Sequence, residues 1–134
     1  LYIPLTQKAS IEFDFEVQQK GTYRIDSFMI FSLFSGVFQT YMDGKPFGTP
    51  IDLSAPGFDF CPVYLDIHEL SAGKHTLRFE GVVQTPKYSR SMAPKTYGLG
   101  IINLMLLRLE DMEGYRSVLK QLDPNAFPQE QKSN

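Results

Sequence analysis

Ile11-Glu12-Phe13-Asp14-Phe15-Glu16-Val17 alternates apolar and acidic residues without a break. Successive side chains of a strand point to opposite faces. The run therefore reads as a half-buried β-strand with Ile11, Phe13, Phe15 and Val17 on the core side and Glu12, Asp14 and Glu16 in water. The acids form a solvated row, not a metal site. Lys20-Gly21 marks a turn, and Thr22 to Leu33 reads as the next strand. From Phe28 onward it is apolar on both faces, the pattern of a central strand covered on both sides or lying near a partner domain.

Further along, Ser35-Gly36 interrupts the pattern, Val37 to Met42 reads as a strand, and Asp43-Gly44 predicts a tight hairpin. Both central residues of a type I′ turn need positive φ, which Asp and Gly accept. The return segment, Pro46 to Leu53, carries Pro46 and Pro50. Proline cannot donate to a ladder, so the segment is expected at an edge. Ser54 to Pro62 reads as a loop, Val63 to Ile67 as a strand, Ser71 to Lys74 as a turn and His75 to Gly81 as a strand. A polar connection, Val82 to Tyr97, leads to Leu99–Leu109, expected as the last and most buried strand.

After that the apolar period changes. Tyr115, Val118, Leu119 and Leu122 lie three and four residues apart, the spacing of one helix face, and Pro124 ends it. Dense strands without intervening helices predict an all-β fold, an antiparallel β-sandwich with a short C-terminal helix. The expected divisions are a sandwich over 1–110, a helix packed on it over 111–123 and a flexible tail over 124–134.

Composition narrows the function. The chain has 134 residues, enough for one domain, and is rich in Phe (11) and Tyr (7) with no Trp. The net charge is −2 and the basic residues are scattered, which excludes a phosphate-tracking surface and hence nucleic acid. No run is long and apolar enough for a membrane-spanning helix. Cys61 is the single cysteine, expected as a buried thiol, so no internal disulfide exists. Cys61, His68 and His75 lack the paired spacing of a zinc site, and no metal or cofactor is expected. No phosphate loop and no nucleophile elbow occur. Asp26 and Asp66 are the strand carboxylates on which a small hydrolase would have to rely. The chain starts at Leu1 without Met, which is expected of a chain whose leader was removed or of a segment cut from a longer protein, the second being preferred.

Three stretches carry a resemblance. Gly21-Thr22-Tyr23-Arg24-Ile25 is a G-x-Y-x-I strand, Gly36 to Gly44 is a strand closing in Asp-Gly, and Leu70-Ser71-Ala72-Gly73-Lys74-His75-Thr76-Leu77 is an L-x-x-G-x-H-x-L strand entry. In this order, with Tyr97 to Ile102 as a closing strand, they resemble the jelly-roll accessory modules of the carbohydrate-binding-module type found in secreted bacterial glycoside hydrolases. The resemblance covers roughly residues 11 to 109. It implies a non-catalytic module of a larger carbohydrate-active protein, placed outside the cell or in the periplasm, that binds glycan weakly or scaffolds a neighbouring catalytic domain. Its partners would be carbohydrate and the other domains of the same parent chain. It also implies a structural His75 whose ring bonds the preceding turn. The absence of Trp, the commonest sugar-stacking platform, leans towards scaffolding.

For a ligand, the connection before the last strand is the expected place. Tyr88 and Arg90, among Lys87, Ser89 and Ser91, are the candidate contacts, with Tyr97 beside them. An aromatic face stacks on a sugar ring, and Arg bonds hydroxyls. The alternative is that Tyr88 and Tyr97 pin the loop to the core. Phe58 and Phe60 pose the same choice. A protein–protein or homo-oligomerisation domain is the other class, motivated by the apolar load of Phe28 to Phe34 and of the helix.

Overall fold

The computed structural model describes residues 2–6, 9–88, 96–112 and 121. The strands in chain order are β1 (Tyr2–Thr6), β2 (Ser10–Val17), β3 (Gly21–Phe31), β4 (Val37–Met42), β5 (Lys45–Asp52), β6 (Asp59–Leu70), β7 (Gly73–Gly81), β8 (Thr96–Gly100) and β9 (Met105–Arg108). One sheet has the order β2-β7-β4-β5 and the other β6-β3-β9, with every ladder antiparallel. The β1-β8 pair joins the second sheet beyond β9, through bridges from Met29 to Ile101 and from Ser35 to Gly98. The two layers form an all-β sandwich. Its core holds Ile25, Met29, Phe38, Leu53, Leu65, Leu77, Phe79 and Leu99, all essentially inaccessible.

β2 keeps the alternation read from the sequence: Glu12, Asp14 and Glu16 are exposed and Val17 is buried. Ile11, Phe13 and Phe15 are only half-buried, because β2 is the outermost strand of its sheet and one flank is open to water. The Asp43-Gly44 hairpin forms as expected, with φ of 49° and 82°, both in the left-handed region. Nothing lies within 4 Å of where a Cβ on Gly44 would sit, so glycine serves the backbone angle there and not a close approach. β5 is an edge strand, as its prolines require.

Elsewhere the structure departs from the expectation. β6 starts at Asp59 rather than Val63 and runs through Pro62, which a ladder tolerates because β6 is itself an edge. Cys61 is consequently half-buried on that strand instead of enclosed. The closing segment, expected as one continuous and deeply buried strand, is broken at 102–104. Asn103 causes the break: its carbonyl accepts from Ser27 Oγ at 2.6 Å and its Oδ1 accepts from the Phe28 N–H at 3.1 Å, so side chain and bent backbone replace the ladder. Leu99 is buried, but Ile102, Met105 and Leu107 are exposed. β1 was not foreseen; it carries Pro4 and pairs with β8 alone. Residues 109–112 and 121 are helical, while the rest of the expected helix and the tail over 124–134 lie outside the described residues.

Candidate functional site

The loop that leads away from β7 is clasped to the one that follows β5. Asp52 Oδ1 accepts from the Ser54 N–H at 2.9 Å and Asp52 Oδ2 from the Lys87 N–H at 2.8 Å. Burial by itself would raise the Asp52 pKa; the hydrogen bonds from Ser54 and Lys87 outweigh it and hold the carboxyl below its usual value. The Tyr88 N–H donates to Ser54 Oγ at 3.0 Å. Tyr88 is thus pinned through its backbone while its ring stays 39% exposed, with Lys87 Nζ 5.3 Å from the ring centroid. Arg90 lies outside the described residues. Tyr97 is described only as a backbone partner of Leu5 in β8. Of the three expected contacts, Tyr88 alone has a described ring; the grouping of Tyr88, Arg90 and Tyr97 lies outside the described residues.

His75 sits at the start of β7 and is buried. Its Nε2 donates to the Ser71 carbonyl at 2.7 Å and its Nδ1 donates to Asp43 Oδ2 at 2.7 Å. Both partners are acceptors, so the doubly protonated ring satisfies both contacts at once and the arrangement favours the cation. Burial opposes this charge, but the Ser71 carbonyl and the Asp43 carboxylate prevail and raise the His75 pKa. Asp43 also accepts from the Thr76 N–H at 2.9 Å. The ring ties the Asp43-Gly44 hairpin to the Ser71 turn, which makes His75 a structural residue, as the resemblance implies.

A different surface is more unusual. Antiparallel partners share a face, so the register places Ile67 and Leu107 beside Arg24, Tyr64 and Met105 beside Asp26, and Phe60 beside Ile30. Ile102 reaches the same side, its N–H donating to the Phe28 carbonyl at 2.8 Å. This is the outer face of the β6-β3-β9 sheet. Phe28, Phe60, Tyr64, Ile67, Ile102, Met105 and Leu107 are between 36% and 55% exposed there, and Phe58 (62%) stands edge-on against Phe60 at 5.4 Å. Its charges cancel locally: Arg24 pairs with Asp26 at 2.9 Å and lies 5.0 Å above the Tyr64 ring. A large apolar residue offers on the order of 200 Å² when fully exposed, so the face opens roughly 800 Å². The largest apolar patch of a typical monomer is about 300–600 Å². In the apolar run Phe28 opens onto this face, whereas Met29 and Ile30 are buried on opposite sides, as expected of a strand covered on both; the remaining apolar residues come from β6, Ile102 and β9.

A recess of about 470 Å³ at the other end of β3 is lined by Lys20, Gly21, Thr22, Glu69, Leu70, Ser71 and Glu110. Part of its polar lining is engaged within the protein: the Thr22 N–H donates to Glu110 at 3.0 Å and Arg108 donates to the Lys20 carbonyl at 2.8 Å. Among the described residues, no cluster of His, Cys, Asp and Glu is arranged to hold a metal ion, and no helix is long and apolar enough to cross a membrane.

No family model matches the chain, and no curated protein matches it. Among solved structures, the chain is similar to part of a Paenibacillus xanthan lyase, with a TM-score of 0.65 and 21% sequence identity over 78% of this chain. The match spans 10% of the lyase chain. At that identity the likeness is one of fold, and it relates this domain to a small part of a much longer enzyme.

Proposed function

We propose that this domain is a non-catalytic accessory module of a larger, exported carbohydrate-active protein, and that it scaffolds a neighbouring domain of the same chain. The open outer face of the β6-β3-β9 sheet carries this reading. An interface between domains of one chain buries about 600–1,500 Å² counted over both sides, and the roughly 800 Å² of apolar surface on this side is enough to fill a large one. The fold likeness to a tenth of a polysaccharide lyase supports the choice of parent, as do the jelly-roll motifs of the sequence.

A face already exposed is cheap to make polar. Phe60→Ser, Ile102→Ser and Met105→Ser combined are expected to change the melting temperature of the isolated domain by only a few degrees, since surface substitutions cost about 0.5 kcal/mol or less each. In the parent chain the same substitutions are expected to free the domain, seen as a separate melting transition and easier proteolytic release. A large loss of stability in the isolated domain would mean that the face is part of its own core.

A second reading, glycan binding at Tyr88, Arg90 and Tyr97, is favoured by the exposed Tyr88 ring on its pinned backbone. Loss of glycan binding in Tyr88→Ala with an unchanged melting temperature would support it.

A further inference from the structure

The two sheets of the sandwich each end in an irregular strand on the same side of the molecule. In β5, Phe38 pairs with Ile51 and Thr40 with Phe47, so residues 48–50 bulge out of the ladder, with Gly48 at φ 64°. In β6, Arg24 pairs with Ile67 and Asp26 with Tyr64, so one extra residue is accommodated, and Asp66 stands at φ 70°. Positive φ is uncommon for a residue with a side chain. Bulges at sheet edges re-aim side chains. Both of these border one cleft of about 280 Å³, whose lining includes Phe47, Gly48, Thr49, Tyr64 and Asp66.

Its chemistry is mixed. Tyr64 is 51% exposed. The Phe47 ring is held edge-on by His68 at 4.5 Å between centroids. Asp66 uses one carboxylate oxygen on the Ile67 N–H at 2.8 Å, which leaves the other to accept from a ligand. Among the described residues Asp66 is the one carboxylate of the lining; Arg24, paired with Asp26 at 2.9 Å, lies at its border, 5.0 Å over the Tyr64 ring. The cleft is smaller than the roughly 300–1,000 Å³ of drug-sized sites, and its open edge leaves room for a chain to pass. An apolar ring face, a carboxylate acceptor and hydroxyl groups match a pyranose, whose C–H face stacks and whose adjacent hydroxyls donate.

We propose that the cleft between β5 and β6 binds one uncharged hexopyranose unit of a glycan. The choice of a saccharide rests on the reading of this chain as part of a carbohydrate-active protein; the place of the site rests on the bulges and the lining alone. A uronate would meet the Asp66 carboxylate and be repelled.

The test is a ¹H–¹⁵N NMR titration of the 134-residue chain with methyl glucoside, methyl mannoside, methyl galactoside and sodium glucuronate. At least one neutral glycoside is expected to give saturable shifts at Gly48, Thr49, Asp66 and Ile67, with glucuronate weaker. Asp66→Gly suits the positive φ, so the fold should persist with its spectrum dispersed, while the charged acceptor is lost and affinity falls about tenfold. Unchanged affinity in Asp66→Gly, or shifts centred on Tyr88 instead, would overturn the site and leave the carbohydrate reading intact. No shift at these amides with any glycoside at about 100 mM would overturn the site as well. Neither result touches Ile102, Met105 and Leu107, so the scaffolding reading stands or falls separately.

Discussion

Phe79→Ala is expected to destabilise the domain by about 3–5 kcal/mol, lowering the melting temperature by roughly 10–20 °C. Phe79 is fully inaccessible and lies on β7, which is hydrogen-bonded on both flanks, to β2 and to β4. Its ring stands edge-on to Phe13 at 6.2 Å. Truncation removes the transferred surface and leaves a cavity that two fixed ladders prevent from collapsing. Ile11→Ala, directly opposite Phe79 on the edge strand β2, is expected to cost much less because Ile11 is already half in water. Denaturant unfolding of both variants checks the contrast. Equal losses would mean that β2 is covered and the sheet order is wrong.

The second large effect belongs to His75. His75→Gln is expected to cost about 1–2 kcal/mol near pH 5–6, since it breaks two part-buried hydrogen bonds of a charged ring whose partner Asp43 is itself open to solvent. The pH dependence has a definite sign. The folded His75 pKa is raised, so its contribution is fully present below the unfolded value of 6.5 and is lost as pH rises through the folded value. On Asp43, burial acts upward, but the hydrogen bonds from His75 and the Thr76 N–H prevail and lower its pKa; its contribution is present above the ordinary 3.8 and is lost as pH falls through the folded value. The wild-type domain should therefore be held most firmly by this pair in mild acid. It should lose melting temperature between neutral and alkaline pH, and His75→Gln should lose that slope. A wild-type profile flat from pH 6 to 9, or an NMR titration of His75 below its usual range, would contradict the assignment.

Much of the framework could be read from local chemistry. Ile11–Val17 alternates because its two faces meet different media, and Asp43-Gly44 marks its hairpin because few residues accept two successive positive φ angles. What local chemistry cannot carry is pairing. Half-burial of Phe13 follows from β2 having one neighbour, and exposure of Met105 and Leu107 follows from β9 presenting them to the outside. Neither neighbour is encoded near those residues. Asn103 is similar: the break it makes in the expected strand depends on its partners Ser27 and Phe28, which lie far away in sequence.

The candidate sites divide in the same way. Tyr88 was visible as an aromatic in a wet loop, and Asp52-Leu53-Ser54 had the local signature of a side chain capping the N–H two residues on, yet the clasp from Asp52 to Lys87 is a tertiary event. The cleft of Tyr64 and Asp66 needed two bulges to be placed opposite each other; Gly48 marks the one in β5, but the one in β6 has Asp66 and no glycine at its positive φ. The outer face was foreshadowed by Phe28 alone; Met29 and Ile30 after it are buried, and the rest of the face comes from β6, Ile102 and β9.

The scaffolding account turns on that face being covered in the parent chain. Met105, 42% exposed on the edge strand β9 of that face, supplies a direct reporter. Its thioether oxidises readily when open to solvent. The measurement is the rate of Met105 sulfoxide formation under dilute peroxide, read by mass spectrometry in the isolated domain and in the parent protein. The account predicts rapid oxidation in the isolated domain and at least severalfold protection in the parent. Equal rates in the two would show that no neighbouring domain lies on the face.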